Sequence, residues 1–224
     1  MEPTLQEPAR QAFAAASPAR RGIRVANLLT LSRIALSPVF VWAFLQGHVG
    51  GSASWARWTA LAVALSFELT DAFDGWVARR RNEVSDFGKI LDPLADSISR
   101  FTVFLCFLVA GYADVWSLCV IFWRDSVVSV LRVVCAGQDI VLAARTWGKA
   151  KAVVQAVGIL AILVFGLVPA FPWWDSSWHV WRFVDADHFR DASRTIMWCV
   201  AAVTAVSLVD YLRGNREVLR KIDI

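Results

Sequence analysis

The sequence predicts an all-α integral membrane protein with six transmembrane helices, and three observations predict it. Of its 224 residues 57% are hydrophobic, and mean hydropathy is +0.50. Apolar runs lie near 27–46, 55–78, 94–112, 115–136, 150–171 and 195–212, each close to the ~20 residues that cross a ~30 Å hydrocarbon core as helix. Basic residues gather at 10–24, 79–89, 145–151 and 213–221, against Arg57, Arg182, Arg190 and Arg194 in the alternate connections. Because Lys and Arg near helix ends stay in the cytoplasm, a multi-pass protein of the cell (inner) membrane with both termini inside is expected. Residues 1–24, with Pro3, Pro8 and Pro18, read as a cytoplasmic arm, 25–213 as the helical domain and 214–224 as a cytoplasmic tail. No apolar stretch follows the charged part of the N-terminus, so no cleaved signal peptide is expected. The net charge of +4 fits topology and anionic headgroups. Without a basic stripe carrying interleaved aromatics, nucleic acid is not an expected partner.

The first helix opens NLLTLSR, with Arg33 followed by Pro38. A lone arginine near a helix end commonly snorkels, yet Arg33, Arg100, Arg124 and Arg132 all fall inside predicted helices and are candidates by that location. The link 47–54, GHVGGSAS, suits an outer loop. The second helix ends in Asp71, Asp74, Gly75, Ala78 and Arg79, which at about 100° per residue share one face. Packing through small residues explains Gly75 and Ala78. It does not explain two carboxylates three residues apart at membrane depth, where each ionised group costs about 2.5–3.5 kcal/mol.

A polar turn is expected over 80–87, and then Gly88, Asp92 and Asp96 recur every four residues. They share one face if the segment is helical throughout; alternatively Asp92 caps a helix starting at Pro93. Two aspartate pairs brought to the same membrane face make a site for one or two divalent cations, and oxygen-only donors favour Mg²⁺ or Mn²⁺ over Zn²⁺. His48, His179 and His188 fall in predicted outer loops and are not expected to contribute. On the fourth helix Asp125 and Arg132 are seven apart, which reads as an internal ion pair or, with Arg124, as an anion pocket. Lys149 and Lys151, followed by Gln155, mark the start of the fifth helix. Cys106, Cys119, Cys135 and Cys199 have no pairing or metal-type spacing and read as buried, inert thiols. The tryptophan-rich stretch 171–192 reads as an interfacial segment. A divalent-cation transporter or sensor could use the same carboxylates, but it needs a polar path, and nothing acidic is expected outward of the aspartates.

The run D-x-x-D-G-x-x-A-R, eight residues, then G-x-x-x-D-x-x-x-D, over Asp71 to Asp96, resembles the signature of the CDP-alcohol phosphatidyltransferases. The flanks are most similar to the bacterial phosphatidylglycerophosphate synthases. The matching segments are NLLTLSR and Pro38, LDPLAD, R-D-x-x-x-S-x-L-R from Arg124 to Arg132, and G-K-x-K from Gly148 to Lys151. Two positions depart from that group: Ser97, where a lysine usually follows the fourth aspartate, and Ala152, where threonine usually follows G-K-x-K. The resemblance implies the six-helix CDP-alcohol phosphotransferase fold, a homodimer, and transfer of the phosphatidyl group of CDP-diacylglycerol to a small phosphorylated alcohol with release of CMP. Glycerol 3-phosphate is the implied acceptor; inositol phosphate, serine and phosphatidylglycerol are the alternatives. Asp71, Asp74, Asp92 and Asp96 would hold two metal ions, and Asp71, Gly75, Ala78 and Arg79 would receive the nucleotide. Asp96 would be the catalytic base, while Arg124, Arg132, Lys149 and Lys151 would bind the acceptor's phosphate.

Overall fold

The computed structural model describes residues 25–50, 53–81, 86–136, 146–167 and 186–216, and all regular structure among them is helical. The arm 1–24, most of the interfacial stretch and the end of the tail lie outside the described residues, as do the side chains of residues 74–93. Among the described residues six long helices follow in order. α1 is Val25–Phe44, continued by a π-helical turn Leu45–Val49; α2 is Ser54–Arg81; α3 is Asp86–Val109; α4 is Val115–Ala136; α5 is Thr146–Phe165; α6 is Ala186–Gly214.

Local chemistry sets several of these ends. Asp114 caps α4, its Oδ1 accepting from the backbone N–H of Trp116 (3.0 Å) and Ser117 (3.1 Å), which satisfies two of the free donors of a first turn. α3 closes through Gly111, whose φ of 76° lies in the left-handed region; Tyr112 N then donates back to Phe107 O at 2.8 Å. α2 continues through Arg79–Arg81 and α3 begins at Asp86, so the turn is shorter than the expected 80–87. Arginine is a good helix former, and an acidic residue suits a helix N-terminus. Asp92 therefore lies inside α3, not at a cap, and Gly88, Asp92 and Asp96 belong to one helix face. α6 starts at Ala186, well before the expected 195; its added turns carry the i,i+3 pairs Asp187–Arg190 (3.5 Å) and Asp191–Arg194 (3.7 Å).

α1 packs against α2 and α3, α3 against α4, α4 and α5 each against α6, and α5 against α2, which closes a ring. Phe40, Phe44, Phe67, Phe104, Phe107 and Met197 fill its interior. α5 and α6 approach closely at Gly158, where a Cβ would stand 2.9 Å from Val200 Cγ2. By length and composition, α5 and the Asp187–Gly214 part of α6 are apolar enough to cross a membrane. In the other four helices the apolar run is interrupted by charge, at Arg33, at Glu68 and Asp71, at Asp96 and Arg100, and at Arg124 and Asp125.

Candidate active site

Helices consecutive in the chain run in opposite directions, so the C-terminal halves of α2, α4 and α6 share one end of the bundle with the N-terminal halves of α1, α3 and α5. The charged side chains that interrupt the apolar runs collect at that end in two clusters.

The first cluster joins α1, α2 and α3. Arg33 is 1% exposed, and its Nη1 donates to Asp71 Oδ1 at 2.9 Å. This corrects the snorkelling reading: a carboxylate on the next helix lies at the right depth, so the guanidinium stays inside. Ser37 Oγ donates to the Arg33 carbonyl at 2.9 Å, one turn along α1. On α3, Arg100 Nε donates to Asp96 Oδ1 at 2.6 Å, and Arg100 Nη2 lies 3.6 Å from Glu68 Oε2 on α2. A small cavity lies between these helices, lined by Phe67, Glu68, Asp96, Ser99 and Arg100, with Ile159 of α5 opposite.

Glu68 is the residue that sequence reasoning missed. It extends the acidic face of α2 one turn beyond Asp71 on the outward side, contrary to the expectation that nothing acidic lies outward of the aspartates. The signal was present in its i−3 spacing from Asp71, with Arg100 at i+4 from Asp96 to partner it.

The second cluster joins α4, α5 and α6. Asp125 Oδ1 accepts from Arg124 Nη1 at 3.1 Å, and its Oδ2 accepts from Lys151 Nζ at 2.9 Å. Arg124 Nε donates to Ser207 Oγ of α6 at 3.0 Å. Arg124 and Lys151 are both buried. The expected Asp125–Arg132 pair is thereby corrected. Seven residues separate those two by about 10 Å along a helix, whereas Lys151 meets Asp125 laterally from α5. Arg132 instead stands over the Tyr211 ring, 5.9 Å from its centroid. Lys149 is exposed, two residues and about 200° around α5 from Lys151. The structure thus brings Arg124 and Lys151 together and leaves Lys149 and Arg132 at the surface.

Asp74, Gly75, Ala78 and Arg79 sit in the last turns of α2 and Asp92 in the first turns of α3, and their side chains lie outside the described residues. Among the described residues no three His, Cys, Asp or Glu side chains converge as a metal-binding group. The carboxylates present, Glu68, Asp71 and Asp96, offer only oxygen donors at one end of the bundle, which suits a hard divalent cation. His48 lies at the other end, stacked on Phe44 with ring centroids 4.5 Å apart and with Nδ1 3.3 Å from the Tyr112 hydroxyl. Burial, with a smaller effect from Arg57, lowers its pKa to about 4. Of the cysteines, all free, Cys106 and Cys135 are buried as expected, Cys119 is partly buried, and Cys199 is exposed on α6, correcting that expectation.

Residues 23–207 match the family of CDP-alcohol phosphatidyltransferases. The chain is 32% identical over 209 residues to the CDP-diacylglycerol--glycerol-3-phosphate 3-phosphatidyltransferase of Bacillus subtilis, an alignment covering 87% of this chain and 96% of that protein. The protein of the same description from Pectobacterium atrosepticum is 34% identical over 204 residues, with the same two coverages, 87% and 96%. A cardiolipin synthase (CMP-forming) of Streptomyces coelicolor is 32% identical over 111 residues, which covers 50% of this chain and 51% of that one.

Proposed function

Because the chain belongs to the CDP-alcohol phosphatidyltransferase family, we propose that this enzyme transfers the phosphatidyl group of CDP-diacylglycerol to glycerol 3-phosphate, releasing CMP. The observation that carries the choice of acceptor is the buried Arg124–Lys151 pair at the same end of the bundle as Asp71 and Asp96. A phosphorylated alcohol needs such a cationic anchor beside the base, whereas serine does not. The near-complete alignment with two proteins named for glycerol 3-phosphate supports the same choice over cardiolipin synthesis.

In this reading Asp71, Asp74 and Asp92, with help from Asp96, would hold two Mg²⁺ or Mn²⁺ ions, which would neutralise charge on the pyrophosphate and on departing CMP. Gly75, Ala78 and Arg79, with Asp71, receive the cytidine nucleotide. Arg33 fixes the Asp71 carboxylate from α1. The acceptor oxygen forms a bond to the phosphorus that carries diacylglycerol, the bond from that phosphorus to CMP breaks, and Asp96 takes the hydroxyl proton. Arg124 and Lys151 hold the acceptor's phosphate, with Lys149 and Arg132 nearer the surface. The exposed tryptophans Trp42, Trp58, Trp116, Trp123 and Trp198 give the bundle an apolar exterior suited to lipid. We place it as a six-span inner-membrane homodimer, residues 25–213 forming the catalytic domain, with its active site on the cytoplasmic side. The arginine partners of Glu68, Asp71 and Asp96 weigh against an open cation path.

Purified enzyme given CDP-diacylglycerol, Mg²⁺ or Mn²⁺ and a panel of glycerol 3-phosphate, inositol phosphate, serine and phosphatidylglycerol should release CMP with glycerol 3-phosphate. Release only with another acceptor would reassign the substrate, and metal flux into proteoliposomes without CMP release would overturn the enzyme reading. Asp96→Asn should keep metal binding and lose turnover, while Asp71→Asn and Asp74→Asn should weaken both. Equal loss of metal binding in all three would refute a separate base.

A further inference from the structure

Gln155 is 0% exposed, and neither its Oε1 nor its Nε2 has a hydrogen-bond partner among the described residues. A primary amide offers two donors and an acceptor, and buried groups of that kind are nearly always satisfied. Packing alone would be served as well by leucine or methionine.

Its neighbours say what could satisfy it. Lys151, Gln155 and Ile159 recur every four residues and form one stripe of α5. Lys151 at one end of the stripe belongs to the Arg124–Asp125 cluster, and Ile159 at the other lines the cavity that holds Asp96 and Arg100. Gln155 therefore lies between the cationic cluster and the carboxylate that takes the proton. Each step along the stripe rises ~6 Å, comparable to the extent of a phosphorylated three-carbon alcohol from its terminal hydroxyl oxygen to its phosphorus. The antiparallel helix α6 adds a second uncharged polar group at this level. Gly158 lies opposite Val200, so one turn toward the charged end on each helix sets Gln155 level with Thr204, and a further turn sets Lys151 level with Ser207. Thr204 is also 0% exposed, and its Oγ1 lacks a partner among the described residues.

We propose that Gln155 hydrogen-bonds a second hydroxyl of the acceptor, on the carbon between the attacking hydroxyl and the phosphate-bearing carbon, and so selects a phosphorylated polyol over a phosphorylated simple alcohol. This rests on the reading of Arg124 and Lys151 as the phosphate anchor and Asp96 as the base. Gln155 is the specificity-determining residue between them, with Thr204 beside it.

The test compares glycerol 3-phosphate with 3-hydroxypropyl phosphate, which keeps the phosphate and the attacking hydroxyl and lacks only the middle one. Full-length enzyme, Gln155→Leu and Gln155→Met are each given CDP-diacylglycerol, and CMP release yields kcat/KM for both acceptors. The wild type should favour glycerol 3-phosphate by ~10- to 100-fold, the cost of leaving a buried amide unpaired. Both variants should bring the ratio to within about threefold of one, by losing rate with glycerol 3-phosphate while keeping it with the analogue. The ratio does not depend on how much of a variant folds. A wild-type ratio near one, or a ratio unchanged in the variants, overturns the inference while leaving glycerol 3-phosphate as the substrate. A wild type that releases no CMP with glycerol 3-phosphate overturns the proposed function and this inference together.

Discussion

Arg100 is the one described cation that touches both Asp96 and Glu68, so removing it should separate its structural role from its effect on the reaction. Its side chain is 11% exposed, against 22% for Glu68 and 37% for Asp96. Stripping one partner from a fully buried pair costs about 3–5 kcal/mol, whereas an exposed i,i+4 pair contributes under about 1 kcal/mol. With a 3.6 Å contact to Glu68 and an Asp96 carboxylate that water reaches, Arg100→Met should fall between, at about 2 kcal/mol. Glu68→Gln leaves Arg100 bonded to Asp96 and should cost about 1 kcal/mol. In the double variant no uncompensated Glu68 charge remains, so the loss should fall short of the sum by about 1 kcal/mol. The reaction should respond differently. Arg100→Met frees the Asp96 rotamer and should lower kcat about tenfold with KM for CDP-diacylglycerol unchanged, Arg100→Lys should recover part of it, and Glu68→Gln should change kcat less. Denaturant titration in mixed micelles gives the stabilities, and CMP release gives the rates. Additivity of the two stability losses within about 0.3 kcal/mol, or an unchanged kcat in Arg100→Met, would refute the reasoning.

Arg33→Met should separate stability from activity in the opposite sense. Removing one partner of an ion pair costs most when the charge left behind stays buried, and Asp71, 47% exposed, keeps its hydration. Stability should therefore stay within about 1 kcal/mol while CMP release falls at least tenfold, and a variant that unfolds yet turns over normally per folded molecule would contradict this. His48 should confer a pH dependence on stability far from the site. With its pKa lowered to about 4 from 6.5, the unfolded chain binds the proton first as pH falls. Stability is full above about pH 6.5, declines toward pH 4 by on the order of 3 kcal/mol, and is level below. His48→Gln should flatten that stretch of a plot of Tm against pH.

Helices were the most legible part of the fold. α4 was expected over 115–136 and is found there, because its apolar run is bounded on one side by an aspartate that can cap it. α6 begins earlier, and the α2–α3 turn is narrower, than hydropathy predicts, because hydropathy reports where apolar composition stops and a helix continues while polar residues can still form it. That Gly88, Asp92 and Asp96 belong to one helix was legible from spacing alone, since i,i+4 relations lie within one helix. Partners on other helices were not. Arg33 with Asp71, Arg100 with Glu68, and Lys151 with Asp125 each depend on which helices pack and at what depth. A linear reading offered Asp125 only Arg132, on its own helix. Gln155 was visible as a letter after two lysines, but only its burial without a partner makes it a question.

The depth of the cations then argues for a division of labour. Lys149 and Arg132 are exposed, Arg124 and Lys151 are buried beside Asp125, and the uncharged Gln155 follows before the Asp96 cavity. Exposed charges act through water and are screened within ~10 Å at 0.1 M salt, so they can speed the arrival of an anion but hold it weakly. Buried charges are screened far less, and here they are already matched by a carboxylate, so in the proposed site an arriving phosphate would compete with Asp125 for Lys151 and Arg124. Lys149→Ala should raise KM for glycerol 3-phosphate severalfold at low ionic strength, and the difference should vanish by about 0.5 M salt. Lys151→Met should cost ~10- to 100-fold in kcat/KM at every salt concentration, since a charge-assisted hydrogen bond made out of water is lost. A Lys149→Ala defect that persists in high salt would place that lysine in contact with the acceptor. A Lys151→Met defect that salt abolishes would move the phosphate anchor away from the Arg124 cluster.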